Sequence, residues 1–158
     1  MGFRGEHYHT LDEKGRVIMP LKFRNVLGNS FVITRGVGPC LSVYRETDFD
    51  LIEARLNELP SLDPHVLRMK RLLCAPAVDT DTDNQGRVAL PANLRQWAKI
   101  ESEVVIVGMG EKIEIWSRLG WIALNDSLGE EEIVLSARET GLARTLTGES
   151  VMLEAVAS

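Results

Sequence analysis

The chain states one phrase twice. Asp12-Glu13-Lys14-Gly15-Arg16-Val17-Ile18-Met19-Pro20-Leu21-Lys22-Phe23-Arg24 returns as Asp83-Asn84-Gln85-Gly86-Arg87-Val88-Ala89-Leu90-Pro91-Ala92-Asn93-Leu94-Arg95. Aspartate, glycine, arginine, proline and a final arginine recur in register around a three-residue apolar spacer. A self-match of this kind constrains architecture before any local reading, because both copies must adopt the same local structure. A length of 158 residues accommodates two such halves within the size of one ordinary domain.

Each copy predicts the same order of elements. Gly5 to Leu11 is an extended approach, with His7, His9 and Leu11 on one face. Asp12 opens a tight turn, where its side chain can bond the backbone two residues on, and Gly15 closes it in the left-handed region. Val17-Ile18-Met19 is a short strand. Pro20 ends it, having no N–H for a ladder, and suits the start of a helix from Leu21 to Leu27. Phe31 to Thr34 and Cys40 to Tyr44 form a hairpin around Gly36-Val37-Gly38-Pro39. Thr47 is the expected N-cap of a helix carrying Phe49, Ile52, Leu56 and Leu59. Asp63 caps a second helix with Pro64 at its first position.

The second half repeats the pattern. Val78 to Thr82 approaches, and Asp83 to Gly86 turns. Val88 to Leu90 is the strand, and Pro91 begins a helix from Ala92 to Ala98. Val104 to Val107 and Lys112 to Trp116 are strands joined by a turn at Gly108-Met109-Gly110, with Ile113 and Ile115 on the buried face. Ser117 caps a helix through Leu128. Glu130, Glu131 and Glu132 then load the first turn of another, where negative charge suits the helix dipole.

The predicted division is repeat 1 over 7–53, a helical connection over 54–79, repeat 2 over 80–124 and a C-terminal helix over 125–140. A tail over 141–158 is expected to be largely disordered, with Val151 to Leu153 as its one docking segment. Neither half has enough short strand to bury a core alone. The fold class is therefore α+β, mainly β, with two open-edged halves closing one another into a barrel and each followed by a helical hairpin.

Composition excludes several classes. The chain is 44% hydrophobic and 26% charged, as in a soluble globular domain, and no run approaches a membrane span. The lack of an apolar leader makes the cytoplasm the expected compartment. Cys40 and Cys74 have no pairing pattern and read as small apolar core residues. His7 and His9 lack further ligands, so no metal is expected. No nucleophile turn, phosphate loop or dinucleotide fingerprint is present, so neither enzyme activity nor a cofactor is expected.

The net charge of −5 argues against general affinity for polyanions, yet the charge is uneven. The first phrase carries Lys14, Arg16, Lys22 and Arg24 against Asp12 and Glu13, and Arg4 precedes it. The second carries only Arg87 and Arg95 against Asp83, with Asp79 and Asp81 just before. Arg16 follows a tight turn, so its backbone is held while its guanidinium reaches outward. It suits phosphate, carboxylate or a guanine edge. Asp12 with Gly15 and Asp83 with Gly86 read as turn-forming pairs. Arg16, Lys14, Arg24, Lys22 and Arg4 are the candidate contacts to an anionic partner, with Arg87 the second-repeat candidate.

These residues carry a resemblance. The two Asp-x-x-x-Arg turns (Asp12/Arg16 and Asp83/Arg87) each run into Val-x-x-Pro-x-x-x-Arg. Phe3-Arg4-Gly5 opens the chain, and Val107-Gly108 is followed by Ile113-Glu114-Ile115-Trp116. Together they resemble the MraZ family of bacterial transcriptional regulators, built from two SpoVT/AbrB-type repeats. A single copy would suggest only the wider AbrB-like superfamily, and the tail past about residue 141 is not covered.

The resemblance implies a double-split, swapped-hairpin β-barrel assembled into rings. It implies binding of double-stranded DNA at direct promoter repeats, repressing a division and cell-wall gene cluster that includes the protein's own gene. The expected location is then the nucleoid. Arg16 is the implied DNA contact and Lys14 a variable neighbour, whereas Asn84 and Gln85 depart toward neutral residues. A ring would let modest basic patches meet successive DNA repeats together. The competing reading is an antitoxin-like or scaffolding ring that binds protein through its helical hairpins and Glu130 segment, without direct DNA binding.

Overall fold

The computed structural model describes residues 2–148. The chain divides into two compact units, with the division falling between Gly120 and Trp121.

The first unit is an antiparallel sheet layered with short helices. Its strands are β1 (Phe3–Thr10), β2 (Arg16–Ile18), β3 (Phe31–Arg35), β4 (Cys40–Arg45), β5 (Val78–Thr80), β6 (Arg87–Ala89), β7 (Glu103–Gly110) and β8 (Ile113–Ser117). Its helices are α1 (Leu21–Leu27), α2 (Glu46–Glu58), α3 (Pro64–Met69) and α4 (Ala92–Trp97), and α3 continues as a π-helical turn over Lys70–Cys74. Six strands run in the order β1-β7-β8-β4-β3-β5, and β2 and β6 form a separate two-stranded ribbon. The fold is thus α+β and mainly antiparallel. The expected closure into one barrel is not seen: β1 and β5 end the large sheet unpaired with each other.

The order interleaves the two halves. β1 of the first repeat pairs with β7 of the second, from Phe3 opposite Gly110 to Thr10 opposite Glu103. β5 of the second pairs with β3 of the first, from Phe31 opposite Thr80 to Ile33 opposite Val78. β4 and β8 join the halves at the centre, Leu41 opposite Ile115. One core results. Phe3, Met19, Phe23, Phe31, Ile33 and Leu41 meet Leu90, Leu94, Ile106, Ile113 and Ile115 there, each nearly or wholly buried. The apolar period places them: Val17 and Val88 face inward and their neighbours outward, as strand alternation requires.

Several boundaries differ from the sequence reading. α2 begins at Glu46, two residues before the helix that Thr47 would cap, and has no side-chain cap; Arg45 Nε instead donates to Asp48 Oδ2 at 2.7 Å. Gly108-Met109-Gly110 is no turn but the end of β7, and the chain reverses at Glu111 and Lys112. The cause is close approach: Gly108 lies opposite Gly5, and a Cβ there would collide with the backbone N of Arg4.

The outer positions of β8 are buried as well as the inner ones. Glu114 accepts from Trp116 Nε1 at 3.0 Å and pairs with Lys112 at 3.5 Å. Cys40 is buried beside it, and burial followed by the Glu114 carboxylate pushes its thiol up to about 12. Cys74 is only half-buried.

Asp63 does cap α3, accepting from the His65 N–H at 2.8 Å. Ser117 Oγ accepts from the Gly120 N–H at 3.0 Å at the start of α5 (Arg118–Asp126), which stops short of Leu128.

The second unit contains α6 (Glu130–Thr140), whose first turn holds the three glutamates, and α7 (Ala143–Thr147). Gly141 ends α6 at φ 77°, the left-handed cap that glycine adopts without strain. A helix therefore occupies part of the stretch expected to be disordered, and Val151 to Leu153 lie outside the described residues.

Candidate nucleic-acid interface

The two copies of the phrase meet at the β2–β6 ribbon, Val17 opposite Val88, Arg16 opposite Ala89 and Ile18 opposite Arg87. Val17 and Val88 point into the core. Alternation then puts Arg16, Ile18, Arg87 and Ala89 on the outer face, where Ile18 is 47% exposed. Two arginines and an exposed apolar side chain thus share one narrow ribbon surface.

Each arginine is held by its own turn. Asp12 Oδ1 accepts from the N–H groups of Lys14 and Arg16, both at 2.9 Å, and Asp12 Oδ2 accepts from Arg16 Nε at 2.7 Å. The second turn repeats this atom for atom, with Asp83 bonding Gln85, Arg87 N and Arg87 Nε at 2.9, 2.9 and 2.7 Å. Gly15 and Gly86 close the turns at φ 73° and 79°. The Arg16 N–H is the largest cause holding Asp12 below the usual carboxylate range. Partial burial opposes it, and the Arg16 guanidinium and Lys14 N–H reinforce it. Asp83 is lowered in the same way, first by the Arg87 N–H. Each Nε is thereby committed, while the η nitrogens remain to present to a ligand. The turns also touch, Arg87 Nη1 lying 3.9 Å from Asp12 Oδ2.

The final arginine of each phrase works across the repeats. Arg24 Nε donates to its own Met19 carbonyl at 3.0 Å, and Arg95 Nε to Leu90 at 2.9 Å. Each guanidinium then lies against the other copy's turn glycine. A Cβ at Gly86 would stand 2.7 Å from Arg24 Cζ, and one at Gly15 would stand 3.1 Å from Arg95 Cζ. Backbone bonds complete the exchange: Met19 N–H to Gly86 O at 2.9 Å and Leu90 N–H to Gly15 O at 3.0 Å. Arg95 belongs to the site although charge patterning alone did not single it out; its place in the repeated phrase was the available signal.

The remaining predicted residues are dispersed. Lys14 is exposed at the turn tip, and Lys22 is exposed in the first turn of α1. Arg4 is exposed at the opposite end of β1 from the Asp12 turn, roughly 20 Å along the strand at its usual rise. His7 packs edge-on against Phe23 at 5.0 Å. His9 is held below its ordinary value by burial and then by His7. Among the described residues no group of metal-ligating side chains comes together.

The doubled turn on paired strands has a counterpart in known proteins. The sequence pattern of the MraZ family, described as antitoxin-like, matches residues 2–72 and again 73–143. The chain belongs to the MraZ family. Its relatives include the transcriptional regulator MraZ of Halothermothrix orenii, 39% identical over 89% of this chain and 99% of that protein. The protein of the same name from Thermoanaerobacter pseudethanolicus is 44% identical over 82% and 92%. That from Carboxydothermus hydrogenoformans is 44% identical over 75% and 83%. These MraZ relatives bear the names of regulators and not of enzymes. No described helix is long and apolar enough to cross a membrane.

Proposed function

We propose that this MraZ-family chain is a sequence-specific regulator that binds double-stranded DNA through the outer face of the β2–β6 ribbon. The observation that carries the reading is the pair of identically braced arginines on that face. A two-stranded ribbon fits the major groove, and an arginine whose Nε is pinned presents its η nitrogens to a guanine edge or a phosphate with little entropy left to lose. Arg16 and Lys14 make the principal contacts, and Lys22 and Arg4 add phosphate contacts. Arg24 acts from beneath, through Gly86. Arg87 contributes from a turn whose tip, Asn84-Gln85, is uncharged.

The names of the relatives support a role in transcription. The interleaved strand order supports a swapped-hairpin exchange between the two repeats as the scaffold. In this reading the protein works as a ring-like homo-oligomer on direct promoter repeats at the nucleoid. It represses a division and cell-wall cluster that includes its own gene. A ring multiplies one modest basic patch by effective concentration, so affinity falls steeply with salt.

Replacing Arg16 with Ala should abolish binding to the DNA upstream of the protein's own gene in a mobility-shift assay, with assembly unchanged by light scattering. Undiminished binding by that variant would sink the reading. The competing protein-interaction ring draws on one observation, an apolar cleft formed by Tyr44, Leu51, Ile52, Leu56 and Leu59 on and beside α2. Capture of a stoichiometric protein partner, with no DNA retained at low salt, would favour it.

A further inference from the structure

A second basic site lies away from the ribbon. Arg35, at the end of β3, shares a cleft of about 350 Å³ with Arg68 and Arg71, and Leu67 and Leu72 form its apolar wall. Arg35 is set in place before any ligand arrives. Its guanidinium lies 4.9 Å over the Trp97 ring, and Trp97 is itself pinned by donating Nε1–H to the Gly38 carbonyl at 3.0 Å. Arg35 Nε is buried without an acceptor. None of the three arginines forms an ion pair with a described carboxylate. The segment from Pro64 to Cys74 carries Arg68, Lys70 and Arg71 and no acid at all. Its second half is a π-helical turn, a local irregularity that often borders binding sites.

A partly desolvated guanidinium without a counter-ion, beside two more, is a poor way to build a core and a good way to receive an anion. We infer that this cleft binds a phosphoryl group. One carboxylate would satisfy a single guanidinium fork. A phosphate monoester carries nearly two negative charges and three acceptor oxygens, which matches three arginines lining one cleft. The volume suits a small phosphorylated ligand. Arg68 and Arg71 are exposed, so the anion enters from solvent, and its charge offsets that of the half-buried Arg35.

The site does not depend on the DNA-binding reading, and titration calorimetry on the full chain tests it. Inorganic phosphate and pyrophosphate, at constant ionic strength, should each bind saturably with one site per chain. Arg68→Gln and Arg71→Gln should each weaken that binding by about tenfold or more. Both positions are exposed, so the fold should survive, as circular dichroism would register. Arg35→Lys keeps the charge but loses the planar fork and should also weaken binding.

A different result would place the phosphoryl group on DNA. Neither free anion would then saturate, but each glutamine variant would lower by about one unit the slope of log affinity for upstream DNA against log salt. Absence of both saturable anion binding and any change in slope overturns the proposal.

Discussion

At the scale of single residues, the turn glycines do two things at once. Gly86 stands at φ 79°, where an L side chain costs about 1–2 kcal/mol, and its missing Cβ leaves room for the Arg24 guanidinium. Gly86→Ala should therefore destabilise the protein by about 2 kcal/mol in denaturant unfolding. Gly129→Ala, at a position with open space and φ −103°, should change stability by less than about 0.5 kcal/mol. The aspartates predict the acid limb. Asp12 and Asp83 sit below the usual 3.8 in the folded state, so the unfolded chain takes up their protons first. Their contribution is complete above that value and is lost as pH falls through the lower folded values. The double variant Asp12→Asn with Asp83→Asn should flatten the fall of melting temperature below about pH 4, while the parent loses stability steeply there. The bonds from each aspartate to the backbone two residues on were legible from turn chemistry. The hold of Arg24 on Gly86 was not, because it exists only once the copies are set face to face.

At the scale of elements, most strands and helices were legible because period and punctuation agreed. Alternation in Ile33, Leu41, Val43 and Ile106 meets turn residues at Gly36 to Pro39, and Pro20, Pro91 and Asp63 mark helix starts that the structure uses. The failures share a cause. Thr47 looked like a cap and Gly108 like a turn because local preference was read without the neighbour that overrides it. Arg45 reaches Asp48 and lets α2 begin early, and β1 approaches β7 so closely that Gly108 is needed inside a strand. Gly108→Ala should accordingly wedge β1 off the sheet edge. The expected loss is about 1–3 kcal/mol, with faster amide exchange confined to β1 and β7. Full burial of Ile113 to Trp116 was equally hidden, since alternation in β8 promised one wet face.

At the scale of the whole molecule, the interleaved order β1-β7-β8-β4-β3-β5 means that neither repeat owns its share of the sheet. A protease site placed at Pro76, between the π-helical turn and β5, should yield two pieces that stay together through size exclusion and separate only in denaturant. Independent elution of the pieces under native conditions would contradict the shared core. A chain whose halves clasp each other in this way has the form of a symmetric dimer made continuous. Two identical subunits would have to accept every mutation on both sides of the axis at once. Joined end to end, they are free to drift apart under one common scaffold. One tip can keep its lysine at Lys14 while the other becomes Asn84-Gln85, so the ribbon has two unequal ends and carries a direction that a true dimer could not have.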